Sequence, residues 1–223
     1  MTKLILAAAA LFLTPALHAQ FKVLAPANTY GLYAAKEFPS FTGGTTFSFG
    51  AASLHLKLYQ GYVKNVNALQ QRFKELEDEG KADTAEYAGL KRRFGWEFNG
   101  MRLHELYFAQ FGAAPLGASS DLRQALAAQY GTFEAWQKAY LALTQARGIG
   151  WAALVYDRPA RRFHNVWINE HDAGVPAGTE VLLVTDLFEH AFLPDFQLEK
   201  ARYVQAAWAA LNWPVIEKRF AGK

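Results

Sequence analysis

The stretch EVLLVTDLFEHAFL (residues 180–193) places Asp186, Glu189 and His190 inside an otherwise apolar run. Burying a neutral polar group without a partner costs roughly 2–7 kcal/mol, and an unpaired charge costs more. A fold that accepts this segment must set a metal ion or a partner chain against these groups, or leave the segment wetter than its neighbours suggest. Residues 180–186 read as a buried strand. His190 follows Asp186 by four residues, so an Asp at a strand end and a His in the next turn can converge.

The period of the apolar residues changes along the chain. Helical spacing runs from Ala51 to about Glu79, where charged residues and Gly80 stop it. Asp83 is the expected N-cap of a second helix, with Glu86 closing a capping box, and that helix runs to about Phe111. Together they predict an antiparallel helical hairpin over 51–112. Residues 112–120, GAAPLGASS, read as a linker, and two shorter helices follow, each expected to end at a glycine. From Trp151 the period is strand-like: WAALVYD and RRFHNVWIN flank the turn signal DRPA, and 180–186 adds a third strand. Helices close the chain. The fold class expected is α+β, an N-terminal antiparallel helical hairpin plus a C-terminal α/β half (119–223) with a three-stranded antiparallel sheet.

The N-terminus has a different character. Lys3, the apolar run of residues 4–13, Pro15 and the small-residue end ALHA have the order of a secretory signal peptide, with cleavage expected after Ala19. The run is too short to span a bilayer, which needs roughly 20 residues, so a membrane anchor is the lesser alternative. An exported protein, periplasmic or extracellular, is expected, with no membrane association after cleavage. Residues 20–50, rich in Gly, Pro, Thr and Phe, read as an extended arm. Loss of Lys3 takes the net charge from +3 to +2, and no basic cluster interleaved with aromatics suggests nucleic acid as a partner. Without a single cysteine, the chain has neither disulfides nor thiolate metal sites.

Any metal must then be held by histidine and carboxylate. His55 and His104 each sit on an apolar helical face, and His190 lies beside Asp186. One such His reads as a core residue. Three with a carboxylate, drawn from separate elements, read as a site for iron, manganese or zinc. His164, in a strand-like stretch with polar neighbours, reads as exposed.

DLFEHAFL resembles the metal-ligand signature of the iron/manganese superoxide dismutases. GIGWAALV (148–155), YVKNVN (62–67) and LNW (211–213) resemble further motifs of that family, in the same order from about Phe38 to Phe220. The resemblance implies disproportionation of superoxide to O2 and H2O2 by one iron or manganese per subunit, cycling between +3 and +2. It implies His55, His104, Asp186 and His190 as metal ligands, Tyr62 as the gateway and proton-relay residue, and a homodimer in which Glu189 reaches the partner's ligand His. His171 is the best match for the residue that orients solvent at the metal.

Several positions depart from the family pattern. The pattern separates the first ligand from Tyr62 by one residue more than His55 does, and strict alignment back from Tyr62 puts Leu54 there. Seven helical steps turn about 700°, nearly two full turns, so His55 and Tyr62 share one face of an unbroken helix. His55 is therefore the expected ligand. Leu58, Leu103 and Leu193 replace polar residues of the family, Phe188 replaces its signature Trp, and Gly100 stands at the hairpin position where some members carry Gln. Two other readings remain: an exported superoxide dismutase-like binding or structural protein with little activity, and a mononuclear iron oxygenase needing an organic co-substrate.

Overall fold

Local capping decides where the long helices begin and end. Ser48 Oγ accepts from the Ala51 amide and opens α2 (Phe49–Asp78). The Ser48 amide in turn donates to Asp195. Ala52, His55, Tyr59, Tyr62, Val63, Val66, Phe73 and Leu76 recur at helical spacing and form the buried face of α2. The helix stops at Gly80 (φ 68°), where the amides of Gly80 and Lys81 fold back to the carbonyls of Glu77 and Leu76. The next cap is Thr84, one residue beyond the expected Asp83. Its hydroxyl accepts from the Tyr87 amide and donates to Lys81 O, and α3 (Ala85–Ala109) follows. With Thr84 as the cap, Glu86 sits one residue early for a capping box and pairs instead with Arg72 across the hairpin at 2.7 Å.

The computed structural model describes residues 31–222; the expected signal peptide (1–19) and the first part of the arm (20–30) lie outside these residues. From Leu32 the chain crosses the hairpin. Asn67 exchanges two hydrogen bonds with the backbone of Tyr33, and the Lys36 amide donates to Tyr59 Oη. The arm is not extended throughout: α1 (Pro39–Thr42) makes one helical turn that buries Phe41 against Phe47, Phe108 and Phe111.

The C-terminal half has α4 (Asp121–Tyr130), α5 (Phe133–Leu143), β1 (Gly150–Asp157), β2 (Arg162–Asn169), β3 (Glu180–Asp186), α6 (Glu189–Phe196), α7 (Lys200–Ala209) and α8 (Trp213–Phe220). Gly131 (φ 87°) ends α4 as expected. Helix α5 stops at Leu143, well short of Gly148, where the Thr144 hydroxyl turns back to Leu141 O. The strands form an antiparallel sheet in the order β2-β1-β3, with Ala153 opposite both Val166 and Val184. Central β1 is therefore buried almost from end to end. The start of the linker, residues 112–114, is bonded along the α7–α8 junction, with bridges from Phe111 to Leu211 and from Ala114 to Asn212.

One core runs from Phe41 to Ile216, so hairpin and sheet share it. The class is the expected α+β. Among the described residues no helix is long and apolar enough to cross a membrane.

Candidate metal centre

Four elements each bring one donor to the same point. His55 comes from the buried face of α2, His104 from α3, Asp186 from the last residue of β3 and His190 from the first turn of α6. Their ligand atoms all lie within 4.8 Å of one another. His55 Nε2 and His190 Nε2 are each 3.2 Å from Asp186 Oδ2, and His104 Nε2 is 3.6 Å from the same oxygen. Leu54, which strict alignment would put in the first ligand's place and which has no donor atom, is 63% exposed.

The chemistry of this donor set fits a cation. His104 Nδ1 lies 2.6 Å from Gly100 O, so Nδ1 carries the hydrogen and Nε2 the lone pair. That Nε2 is fully buried with no hydrogen-bond partner among the described residues. It faces a carboxylate oxygen, an arrangement that repels unless a positive charge lies between them. Burial holds the His104 imidazole well below its ordinary range and lowers His55 as well, so both rings are neutral. Burial alone would raise the Asp186 carboxyl, but His190 and His55 beside it hold it far below the usual carboxylate range. Neutral imidazoles around one ionised carboxylate suit iron, manganese or zinc.

Asp186 is itself oriented by its neighbours. Its Oδ1 accepts from the Phe188 amide and its carbonyl from Tyr203 Oη, at 2.9 and 2.7 Å. Phe188 lies nearly parallel to both His190 and His171, so the apolar ring keeps a stacking contact on each.

Next to the cluster lies a second polar pair. His171, fully buried, sits 2.7 Å from Tyr62 Oη through Nε2, and its Nδ1 accepts from Trp151 Nε1 at 3.0 Å. Asn99 Nδ2 donates to the His171 carbonyl. Burial pushes the His171 imidazole down to about 4 and the Tyr62 phenol up. Tyr62 stacks on His104 with ring centres 5.2 Å apart, packed into the space that Gly100 leaves open.

His164 is exposed on β2, away from this group. Glu189 is exposed at the start of α6 and belongs to neither cluster. Leu58 is 36% exposed, and the interior place one turn after His55 belongs to Tyr59. Trp96, Asn99 and Tyr203 were not singled out by the sequence. Trp96, Gly100 and His104 do recur four residues apart on α3, the spacing of one helical face, and that signal was available.

Residues 118–219 match the iron/manganese superoxide dismutases, C-terminal domain. The chain is 32% identical over 170 residues to an iron superoxide dismutase of Methanothermobacter thermautotrophicus, covering 74% of this chain and 82% of the relative. The chain belongs to the iron/manganese superoxide dismutase family. An iron superoxide dismutase of Cupriavidus metallidurans is 35% identical over 167 residues, covering 73% of this chain and 82% of that one. A manganese superoxide dismutase of Haloferax volcanii is 31% identical over 159 residues, with 70% and 77% covered. Relatives of both metals thus lie at similar distance. Against the family pattern, Leu193 is 40% exposed and Leu103 is buried. Neither contributes a polar atom to the centre.

Proposed function

We propose that this family member is a superoxide dismutase whose His55, His104, Asp186 and His190 hold one iron or manganese ion. The observation that carries the proposal is the buried, unpartnered Nε2 of His104 facing the Asp186 carboxylate beside two further imidazoles. When bound, the metal supplies one-electron exchange with superoxide, alternating between +3 and +2 so that one superoxide leaves as O2 and a second as H2O2.

The remaining residues govern protons and water. Trp151 Nε1 can only donate, so His171 Nδ1 accepts and the single ring hydrogen sits on Nε2. That hydrogen goes to Tyr62 Oη, which leaves the Tyr62 O–H free to be given elsewhere. Donation therefore runs in one direction, from Trp151 through His171 to Tyr62. The raised pKa of Tyr62 keeps its hydroxyl protonated, as a donor must be. Departing peroxide needs two protons, and on this reading the free Tyr62 O–H supplies one of them and regains it from water. Phe188 and Trp151 pack against the His171 ring.

The proposal extends to a homodimer. Leu54 and Leu58 lie one turn apart on α2, and α6, which packs against α2, carries exposed Leu193 and Glu189. On this reading the exposed residues of α2 and α6 meet a second copy, with Glu189 at the contact, and sedimentation of Glu189→Ala against the unaltered chain tests it. Export to the periplasm or beyond rests on residues 1–19, and the N-terminal mass of the mature protein tests that.

The decisive experiment loads residues 20–223 separately with iron and manganese and follows superoxide decay by stopped flow. Rapid decay with one metal supports the assignment and names the cofactor. Stoichiometric metal without decay in either form would put the superoxide dismutase-like binding protein first.

A further inference from the structure

The loop that carries His171 contains a backbone conformation that needs support. Glu170 sits at φ 49°, in the left-handed region that residues bearing a Cβ adopt at a cost. Its amide donates to Ile149 O at 3.1 Å, and its carboxylate accepts from Trp96 Nε1 at 2.8 Å. The Trp96 ring centre is 4.6 Å from His171 and 5.5 Å from Tyr62. Arg93 covers the indole from 3.9 Å, and is itself tied to Glu97, which accepts from Asn65. His171 and Tyr62 are buried whereas Trp96 is half-buried, so the indole is an outer cover for the pair.

We infer that Glu170 is a positioning residue: its carboxylate clamps Trp96 over the His171–Tyr62 pair, and the same bond holds the His171 loop in its left-handed turn. That the covered pair handles protons rests on the function proposed above; the clamp itself does not. Backbone bonds from Glu170 to Ile149 and between Asn169 and Ala173 close the loop, but they would serve a glycine at 170 equally well and give no reason for a glutamate there. The bond to Trp96 supplies the reason for its side chain.

The test reads the exposure of His171 directly, by deuterium exchange at the imidazole C2 positions of the metal-loaded protein, resolved by mass spectrometry. Glu170→Ala removes the clamp and keeps the strain. Glu170→Gly removes both, and Glu170→Gln keeps an oxygen acceptor. Trp96→Phe keeps a ring and loses the donor. Exchange at His171 is expected to rise about fivefold in the Ala, Gly and Phe variants, as local opening becomes easier, and to stay near the original rate in Gln. Exposed His164 serves as the unchanged internal standard. Adding Glu170→Ala to Trp96→Phe is expected to change nothing more.

Unchanged exchange in Glu170→Gly and Trp96→Phe overturns the inference, as does an additive effect in the double variant. These two backgrounds carry the test should Glu170→Ala fail to fold. Loss of turnover in the unaltered protein would sink the dismutase assignment while leaving this exchange pattern intact, so the two failures are distinguishable.

Discussion

A methyl group at Gly100 would lie 2.6 Å from Tyr62 Cδ1 and 2.7 Å from Cε1, inside any allowed contact. Replacing a helical glycine by alanine ordinarily gains about 1 kcal/mol. Here overpacking sets about 1–3 kcal/mol against that gain, because Tyr62 is wedged between Gly100, His104 and His171. Gly100→Ala should therefore leave stability little changed or slightly lower, while it pushes the Tyr62 ring away from His171. Turnover should fall on the order of tenfold, the cost of a lost hydrogen bond of about 1.4 kcal/mol at the donor. Melting curves and stopped-flow rates check the two halves of this expectation. A stabilised variant with full turnover would show that the Tyr62–His171 bond is dispensable.

Titration belongs to the same scale. Burial lowers His171 from 6.5 to about 4, and His55 and His104 shift in the same direction. As pH falls, the unfolded chain takes up protons on these rings before the folded one does. Their contribution to stability is thus complete above about 6.5 and is lost progressively as pH falls toward 4. Denaturant titration of metal-free protein at several pH values should show the midpoint dropping across that window, with a shallower drop in His171→Gln. Asp186 also loses its contribution on acidification, but only below the ordinary carboxylate range, outside this window.

Helix α2 sets His55 and Tyr62 on one face because seven steps nearly close two turns. Inserting one alanine between Leu58 and Tyr59 would turn the two halves of the helix by about 100° relative to each other. Either His55 or Tyr62 then leaves the site, unless the helix absorbs the extra residue as a bulge. Metal content after reconstitution should drop below one per chain if His55 moves, or stay full with impaired turnover if Tyr62 moves. Full metal and full turnover together would mean that the helix had bulged. This dependence on spacing was legible in the sequence, as were the hairpin, the three strands and the four donors, because period and residue chemistry both mark them. What was not legible depended on tertiary contact. Thr84 displaced Asp83 as a cap through its bonds to Tyr87 and Lys81. The turn α1 forms where Phe41 finds a buried aromatic pocket in an arm that reads as extended. Trp96 and Asn99 are ordinary helical residues until the β2–β3 loop brings His171 against them.

At the scale of the whole molecule, the donor cluster joins parts that the shared core already joins. Arg219 adds to this, donating from α8 to Leu182 O of β3 and to Leu106 O of α3 at 2.7 and 2.8 Å. The metal is therefore not expected to be what makes one body of two. Its absence should cost stability in another way, by leaving the buried Asp186 carboxylate against the His104 lone pair with no cation to offset it. Free metal at about a hundred times its dissociation constant would add roughly 2.7 kcal/mol to the folded state. For a chain of this size that is about 5–10 °C in the melting midpoint. Calorimetry of metal-free and metal-loaded protein should show one transition in both, moved upward by loading. The number of transitions is the sharper outcome. A metal-free protein that melts in two steps would mean that packing between the α2–α3 hairpin and the sheet is weaker than the continuous core implies, and that a bound metal, rather than the core, holds the halves together.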